Sequence, residues 1–173
     1  MLRNTFGSFS VNGFTNLQSG GARSHSAGFT FKLFNRSVSS NTLAARVDFA
    51  TADRGTDLPA EFTLGESTGL RGYAARQFSG TNRLRLNFED RIFTGWRIGA
   101  FDIGLLAFVD AGWAGDDIDE LSLSSSAGIG LRLGSNALMG RNVTRLDLAY
   151  PFNPVDGDSS LSLSIATGQV FTF

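Results

Sequence analysis

The sequence predicts an all-β protein: an antiparallel transmembrane β-barrel segment of about eight strands, with one long loop that enters the lumen. Three observations lead there. Apolar residues recur with period two along most of the 173-residue chain, as in strands with one apolar and one polar face. No run of about 18 apolar residues exists to form a membrane helix, yet 42% of residues are hydrophobic, with 16 Phe and 21 Gly, which is odd for a soluble helical domain. Connections alternate between short and long, the layout of an outer-membrane barrel with short periplasmic turns and longer external loops.

The strands read as follows. The first, roughly Phe6 to Phe14, alternates loosely. In the second, Phe29, Phe31 and Leu33 oppose Thr30 and Lys32. In the third, Leu43, Ala45, Val47 and Phe49 oppose Ala44, Arg46, Asp48 and Ala50. Past the long loop, Leu84, Leu86, Phe88 and Ile92 oppose Arg83, Arg85, Asn87, Glu89 and Arg91. Next, Ile103, Leu105, Ala107, Val109, Ala111 and Trp113 oppose Gly104, Leu106, Phe108, Asp110 and Gly112. The sixth sets Leu121, Leu123, Ala127, Ile129, Leu131 and Leu133 against Ser122, Ser124, Ser126, Gly128, Gly130 and Arg132. The seventh turns Leu146, Leu148, Tyr150 and Phe152 outward, against Arg145, Asp147, Ala149 and Pro151. The last carries Leu161, Leu163, Ile165, Thr167, Gln169, Phe171 and Phe173 on one face.

Short links fall near Ser37–Asn41, Thr94–Arg97 and Ser135–Gly140. Longer ones fall near Thr15–Ser24, Asp53–Asn82, Ala114–Glu120 and Asn153–Ser159. A soluble β-sandwich also alternates. The charges here sit in strand interiors rather than at tips, and aromatics gather near strand ends like an interfacial belt, which favours the membrane barrel.

The length fits a single domain, residues 1–173. The absence of Cys excludes a disulfide framework and Cys-based metal sites. A net charge of −1 gives no basic footprint for nucleic acid. Met1 to Asn4 lack the apolar segment and cleavage site of a secretory signal, so an exported form is expected to be a mature or excised piece.

The long loop, 53–82, carries Leu70-Arg71-Gly72-Tyr73, and the strand at Phe108–Gly112 places Asp110 among apolar and small residues. An arginine in a loop and an aspartate inside a membrane-type strand suggest that the loop folds back and pairs with the wall. A guanidinium fork matches one or two carboxylates, Gly72 permits a tight tip, and Tyr73 adds packing area with a polar end. Such a cluster reads as a brace rather than an active centre.

Inward Lys32, Arg46, Arg83, Arg85, Arg91, Arg132 and Arg145 outnumber Asp48, Glu89, Asp110 and Asp147. Two readings stay open: a positive interior for anions or extended polypeptide, or mutual pairing such as Arg46 with Asp48 and Arg145 with Asp147. Gly65-Glu66-Ser67-Thr68-Gly69 matches a nucleophile elbow, but that elbow needs a strand–turn–helix and a His after the Ser. The single His25 lies upstream, expected in a solvated loop. Asp116, Asp117, Asp119 and Glu120 lack the EF-hand pattern and read as an external loop. Neither a catalytic residue, a metal ligand nor a cofactor site is expected.

Four motifs in order carry a resemblance. Leu70–Tyr73 resembles a Val-Arg-Gly-Phe/Tyr loop motif, and Asn87-Phe88-Glu89-Asp90-Arg91 an Asn-x-Glu-x-Arg strand. Phe108–Gly112 resembles a Phe-x-Asp-x-Gly strand, and Gly168–Phe173 a C-terminal assembly signal ending on Phe. Together they resemble the bacterial surface antigen superfamily, which holds BamA-type insertases, TamA-type assembly factors and FhaC-type secretion barrels. The resemblance implies the last half of a sixteen-stranded barrel, with Arg71 paired to Asp110 and Glu89 close by. It implies Phe171 and Phe173 as the signal read by the assembly machinery. It further implies a non-enzymatic role in inserting or secreting proteins at the bacterial outer membrane. The partners would be outer-membrane lipid, the assembly machinery and client polypeptides. The same barrels anchor patatin-like phospholipases, so a membrane anchor for a surface enzyme, or a structural surface antigen, is the alternative. Eight strands alone cannot house this loop and its arginines, because such a small barrel is filled by its own side chains. The other half is expected from upstream sequence or from a second copy.

Overall fold

The computed structural model describes residues 4–17, 23–36, 40–53, 62–135, 143–155 and 160–170. Among them run β1 (Thr5–Leu17), β2 (Arg23–Asn35), β3 (Asn41–Ala52), β4 (Phe62–Leu64), β5 (Phe78–Gly80), β6 (Asn82–Ile98), β7 (Phe101–Gly115), β8 (Ser124–Ser135), β9 (Val143–Pro151) and β10 (Ser162–Thr167). Eight of them make one antiparallel sheet in the order β1-β2-β3-β6-β7-β8-β9-β10, while β4 and β5 pair separately. The fold is therefore all-β and antiparallel, and its main sheet is a meander interrupted only by the excursion between β3 and β6.

Alternation decides the faces. Along β3, Ala44, Arg46, Asp48 and Ala50 are buried while their neighbours are more exposed. Along β7, Leu106, Phe108 and Asp110 are buried between exposed Leu105, Ala107 and Val109. The buried set is the polar, charged one, and the exposed set is apolar, the reverse of a soluble sheet. Across the outer face, Phe9, Phe29 and Phe49 sit in a row, with ring centroids 6.4 and 6.0 Å apart. The sheet curls around its charged face: Val170, just past β10, packs on Phe34 and Ala44 of β2 and β3. It does not close, since β1 pairs with β2 and β10 with β9 among the described residues, leaving both outer edges free.

Several boundaries differ from the alternation of the sequence. β1 and β2 continue as a polar hairpin to Leu17 and Arg23, so His25 is a strand residue opposite Thr15 rather than part of a loop. Cross-strand hydrogen bonds need no apolar period, which hides such extensions from pattern reading. The link expected near Thr94–Arg97 is instead a bulge inside β6, where the register shifts between Phe93 and Arg97, and the turn comes at Gly99 and Ala100. Trp113 is buried, although its parity puts it outside. It lies at the end of β7 with its indole folded against Gly115, whose added Cβ would sit 2.8 Å from Trp113 Cζ2. Leu121 and Leu123 precede β8 instead of opening it.

The last strand also stops early. Gly168 donates to Val143 O at 2.7 Å and then adopts φ +84°, a left-handed conformation that glycine tolerates without steric cost. Gln169 and Val170 consequently leave the ladder, and Val170 O accepts from Arg46 Nη1 at 3.4 Å on the inner face.

The excursion docks where β7 has no side chain in the way. A Cβ added at Gly112 would lie 2.7 Å from Leu64 Cδ2 and 2.9 Å from Leu84 O. Gly112→Ala is expected to destabilise the fold by about 1–3 kcal/mol through overpacking. Equilibrium urea titration followed by circular dichroism checks this, and an unshifted midpoint contradicts the contact.

Candidate functional site

The excursion 62–80 is ordered from within before it meets the sheet. β4 and β5 pair Phe62 with Gly80 and Leu64 with Phe78. Between them a short 3-10 turn, Glu66–Thr68, is closed by Leu70 N donating to Gly65 O at 2.9 Å and Glu66 N to Tyr73 O at 3.2 Å. Leu64, Leu70 and Tyr73 bury against one another, with Phe78 and Ala114 at their edge. This small apolar knot presents Arg71 at its tip, facing the charged wall.

Arg71 is fully buried, as are Glu89, Asp110 and Asp147. Its Nε donates to Asp110 Oδ2 at 2.6 Å and its Nη2 to Asp110 Oδ1 at 2.8 Å, a bidentate fork. Its backbone N–H adds a third bond to Asp110 at 3.3 Å. Nη2 also lies 3.0 Å from Glu89 Oε1, and Nη1 lies 3.9 Å from Asp147 Oδ2. The guanidinium stacks on Phe108, 3.5 Å from the ring centroid. Burial disfavours the charge on Arg71, but the hydrogen bond to Asp110 and the charges of Asp110, Glu89 and Asp147 outweigh it and raise its pKa.

The backbone around Arg71 is held as firmly. Ser126 Oγ donates to Arg71 O at 2.5 Å, and Asn87 Nδ2 donates to Gly69 O and to Asp110 Oδ1, each at 2.6 Å. Gly72 has φ +90°, and a Cβ there would meet Ala149 Cβ at 3.3 Å and Ser126 Cβ at 3.4 Å, so a larger residue would hold the tip off the wall. Tyr73 Oη donates toward Ser125 O at 2.9 Å and Asn153 O at 3.3 Å, reaching the ends of β8 and β9.

Arg71, Gly72, Tyr73, Glu89 and Asp110 thus converge at one point. Phe171 and Phe173 lie outside the described residues. Four contributors were not singled out from sequence as parts of this cluster: Asp147, Asn87, Ser126 and Phe108. Their signal was parity, because each falls on the inner face of its strand.

The remaining charges sort by partner. Asp48 accepts from Thr30 at 2.7 Å and pairs with Arg83 at 3.1 Å and Arg85 at 3.0 Å, while Arg46 donates to Asn87 Oδ1 at 2.5 and 3.0 Å. Arg91 pairs with Glu89 at 2.6 Å, and Arg145 lies 3.6 Å from Asp147. Ser67 is exposed on the 3-10 turn, and His25 bonds Thr15 at 3.2 Å, so they form no nucleophile–base pair. The acidic loop serves local structure: Asp117 caps the turn Ile118–Glu120, and Asp116 Oδ1 accepts from Thr81 N at 3.0 Å. No group of three or more His, Cys, Asp or Glu side chains suited to a metal occurs among the described residues.

Compared with protein-family models and with curated protein sequences, the chain matches none. The arrangement itself holds a loop against a sheet with buried charge.

Breaking such a pair leaves one charge buried alone. Arg71→Ala and Asp110→Ala are each expected to cost about 3–5 kcal/mol, and the double variant less than the two together. Urea titration of all three checks this, and strict additivity contradicts a direct pair.

Proposed function

We propose that this chain is part of an outer-membrane β-barrel that inserts or secretes proteins, with the loop tip at Arg71 fixed inside the lumen. The observation that carries the reading is the bidentate Arg71–Asp110 clamp on the charged inner face of a sheet whose outer face is apolar. A loop drawn inside a curled sheet governs how much of the interior is open to a passing polypeptide. The order of the four motifs, resembling the bacterial surface antigen superfamily, gives the assembly and secretion sense.

A membrane setting accounts for the outer face. Phe9, Val11, Phe31, Leu43, Phe88, Val109, Ile129, Leu148, Leu163 and Ile165 are exposed large apolar residues spread over all eight strands of the sheet. A soluble monomer rarely leaves a patch of that extent in water. Asp90 interrupts the band, and Asn41 Nδ2 donates to both its carboxylate oxygens at 3.0 and 3.1 Å. In lipid the two free edges would each expose backbone groups at several kcal/mol apiece. Completion to about sixteen strands removes them.

Carbonate or urea washing is expected to leave the protein in the membrane fraction, and a soluble monomer free of detergent contradicts the membrane reading. For the activity, a photo-crosslinker at Lys32, on the inner face of β2, is expected to capture an outer-membrane polypeptide during its assembly. A soluble periplasmic polypeptide should be captured far less. Equal capture of both, or of neither, contradicts a role in assembly or secretion.

A further inference from the structure

We propose that Arg132 and Arg145 form a binding site for the phosphodiester headgroup of an anionic lipid, on the inner face of the sheet toward the β6–β7 turn. The lipid source rests on the membrane reading above, whereas the anion chemistry comes from how the inner arginines are partnered.

Around the loop, the excess of positive charge is absorbed. Asp48 holds Arg83 and Arg85, and their further donors reach loop carbonyls, Arg83 to Thr63 O at 3.4 Å and Arg85 to Thr68 O. Arg46 is taken by Asn87 and by Val170 O. Arg71 and Arg91 are met by Asp110 and Glu89.

Arg132 and Arg145 are different. They stand directly opposite each other across β8 and β9, two like charges on one face, with Asp147 as the carboxylate between them. Arg132 directs Nη1 to Asp147 Oδ1 at 2.6 Å and to Leu131 O at 3.1 Å. Its Nε and Nη2, the two nitrogens of one edge, are buried without a hydrogen-bond partner, as are Nε and Nη1 of Arg145. The residues are 7% and 8% exposed, so water from an open surface does not serve them. Buried donors left unpaired are costly, and a free guanidinium edge matches two oxygens of a phosphate. Arg71, Arg83 and Arg85 each leave a single nitrogen unpaired, which forms no such edge.

The space beside Arg132 suits an amphiphile. A cavity of about 650 Å³ borders Arg132 and is walled by Phe6, Phe34 and Val143, with Arg36 and Arg91 also facing it. Asp102 on its wall is paired with Arg97 at 2.8 Å. Gln169 lines the same cavity, and its Oε1 is a buried acceptor without a donor, which a hydroxyl-bearing headgroup would supply. Arg132 and Arg145 share Asp147 as their ion-pair partner, and Glu66 acts on Arg145 from farther off. The unpaired edge of Arg132 has room in its chemistry for one more negative charge. A phosphodiester carries one, and phosphatidylglycerol adds the hydroxyls.

The test is calorimetric titration of the protein folded in maltoside micelles with dihexanoyl-phosphatidylglycerol, dihexanoyl-phosphatidylcholine and inorganic phosphate. The glycerol lipid is expected to bind at one site, at least about tenfold more tightly than either of the others. Arg132→Gln and Arg145→Gln should abolish the binding, and Arg132→Lys should weaken it about tenfold by keeping the charge but losing the fork. Arg76→Gln, an exposed loop position, should leave it unchanged. Where Arg132→Gln fails to fold by circular dichroism, Arg132→Lys and Arg145→Gln carry the test. Equal binding of the two lipids, phosphate matching the glycerol lipid, or full binding by the folded variants overturns the site. A protein that resists carbonate yet shows no such binding loses the site alone. One that is soluble yet binds through Arg132 loses the membrane reading alone.

Discussion

Dehydrating a guanidinium costs several kcal/mol, and only close, well-directed acceptors recover that loss. Arg71 is fully buried and obtains directed acceptors from Asp110 on β7, while the carboxylates of Glu89 on β6 and Asp147 on β9, 3.0 and 3.9 Å away, add opposite charge. Each carboxylate is fully buried too, so none of the four tolerates the absence of the others. The position of the excursion 62–80, the curl of β6 to β9 around it and the charged character of the inner face all follow from this one mutual dependence. Stacking on Phe108 and the bonds to Arg71 O and Gly69 O then fix the angle at which the tip enters.

The clamp also explains where the small residues lie. Gly112 lets Leu64 approach β7, and Gly72 lets the tip lie against Ala149 and Ser126. A loop anchored this closely adds a second layer to a single sheet, which supplies burial on a face otherwise lined with charge. The outer face has no such cover and is apolar but for Asp90 and its partner Asn41, so the two faces require different surroundings.

Much of this was legible from alternation alone. The parity of Arg46, Asp48, Asn87, Glu89, Asp110, Ser126 and Asp147 assigns them to one face correctly, because a strand has no freedom in which side chains share a side. The pairing of Arg71 with Asp110 was legible because an acid inside an apolar strand needs a partner and the loop offers an arginine. What parity cannot give is level. That Ser126 stands opposite Asp110, and Asp147 opposite Gly130, depends on inter-strand register, which alternation leaves open. Trp113 escapes the pattern for another reason. It sits at a strand end, where Gly115 leaves space for its indole to fold back from the pleat. The polar ends of β1 and β2 carry no apolar period, so His25 reads as loop although hydrogen bonding makes it strand.

The central claim is that Arg71 and Asp110, rather than the apolar knot of Leu64, Leu70 and Tyr73, hold the excursion on the wall. Hydrogen–deuterium exchange on the folded protein and on Asp110→Asn, which keeps the shape and removes the charge, tests it most directly. The account requires the amides of residues 62–80 to exchange much faster in the variant while the β6–β7 ladder stays protected. Unchanged protection of the excursion in Asp110→Asn would contradict it, leaving the clamp a consequence of docking and not its cause.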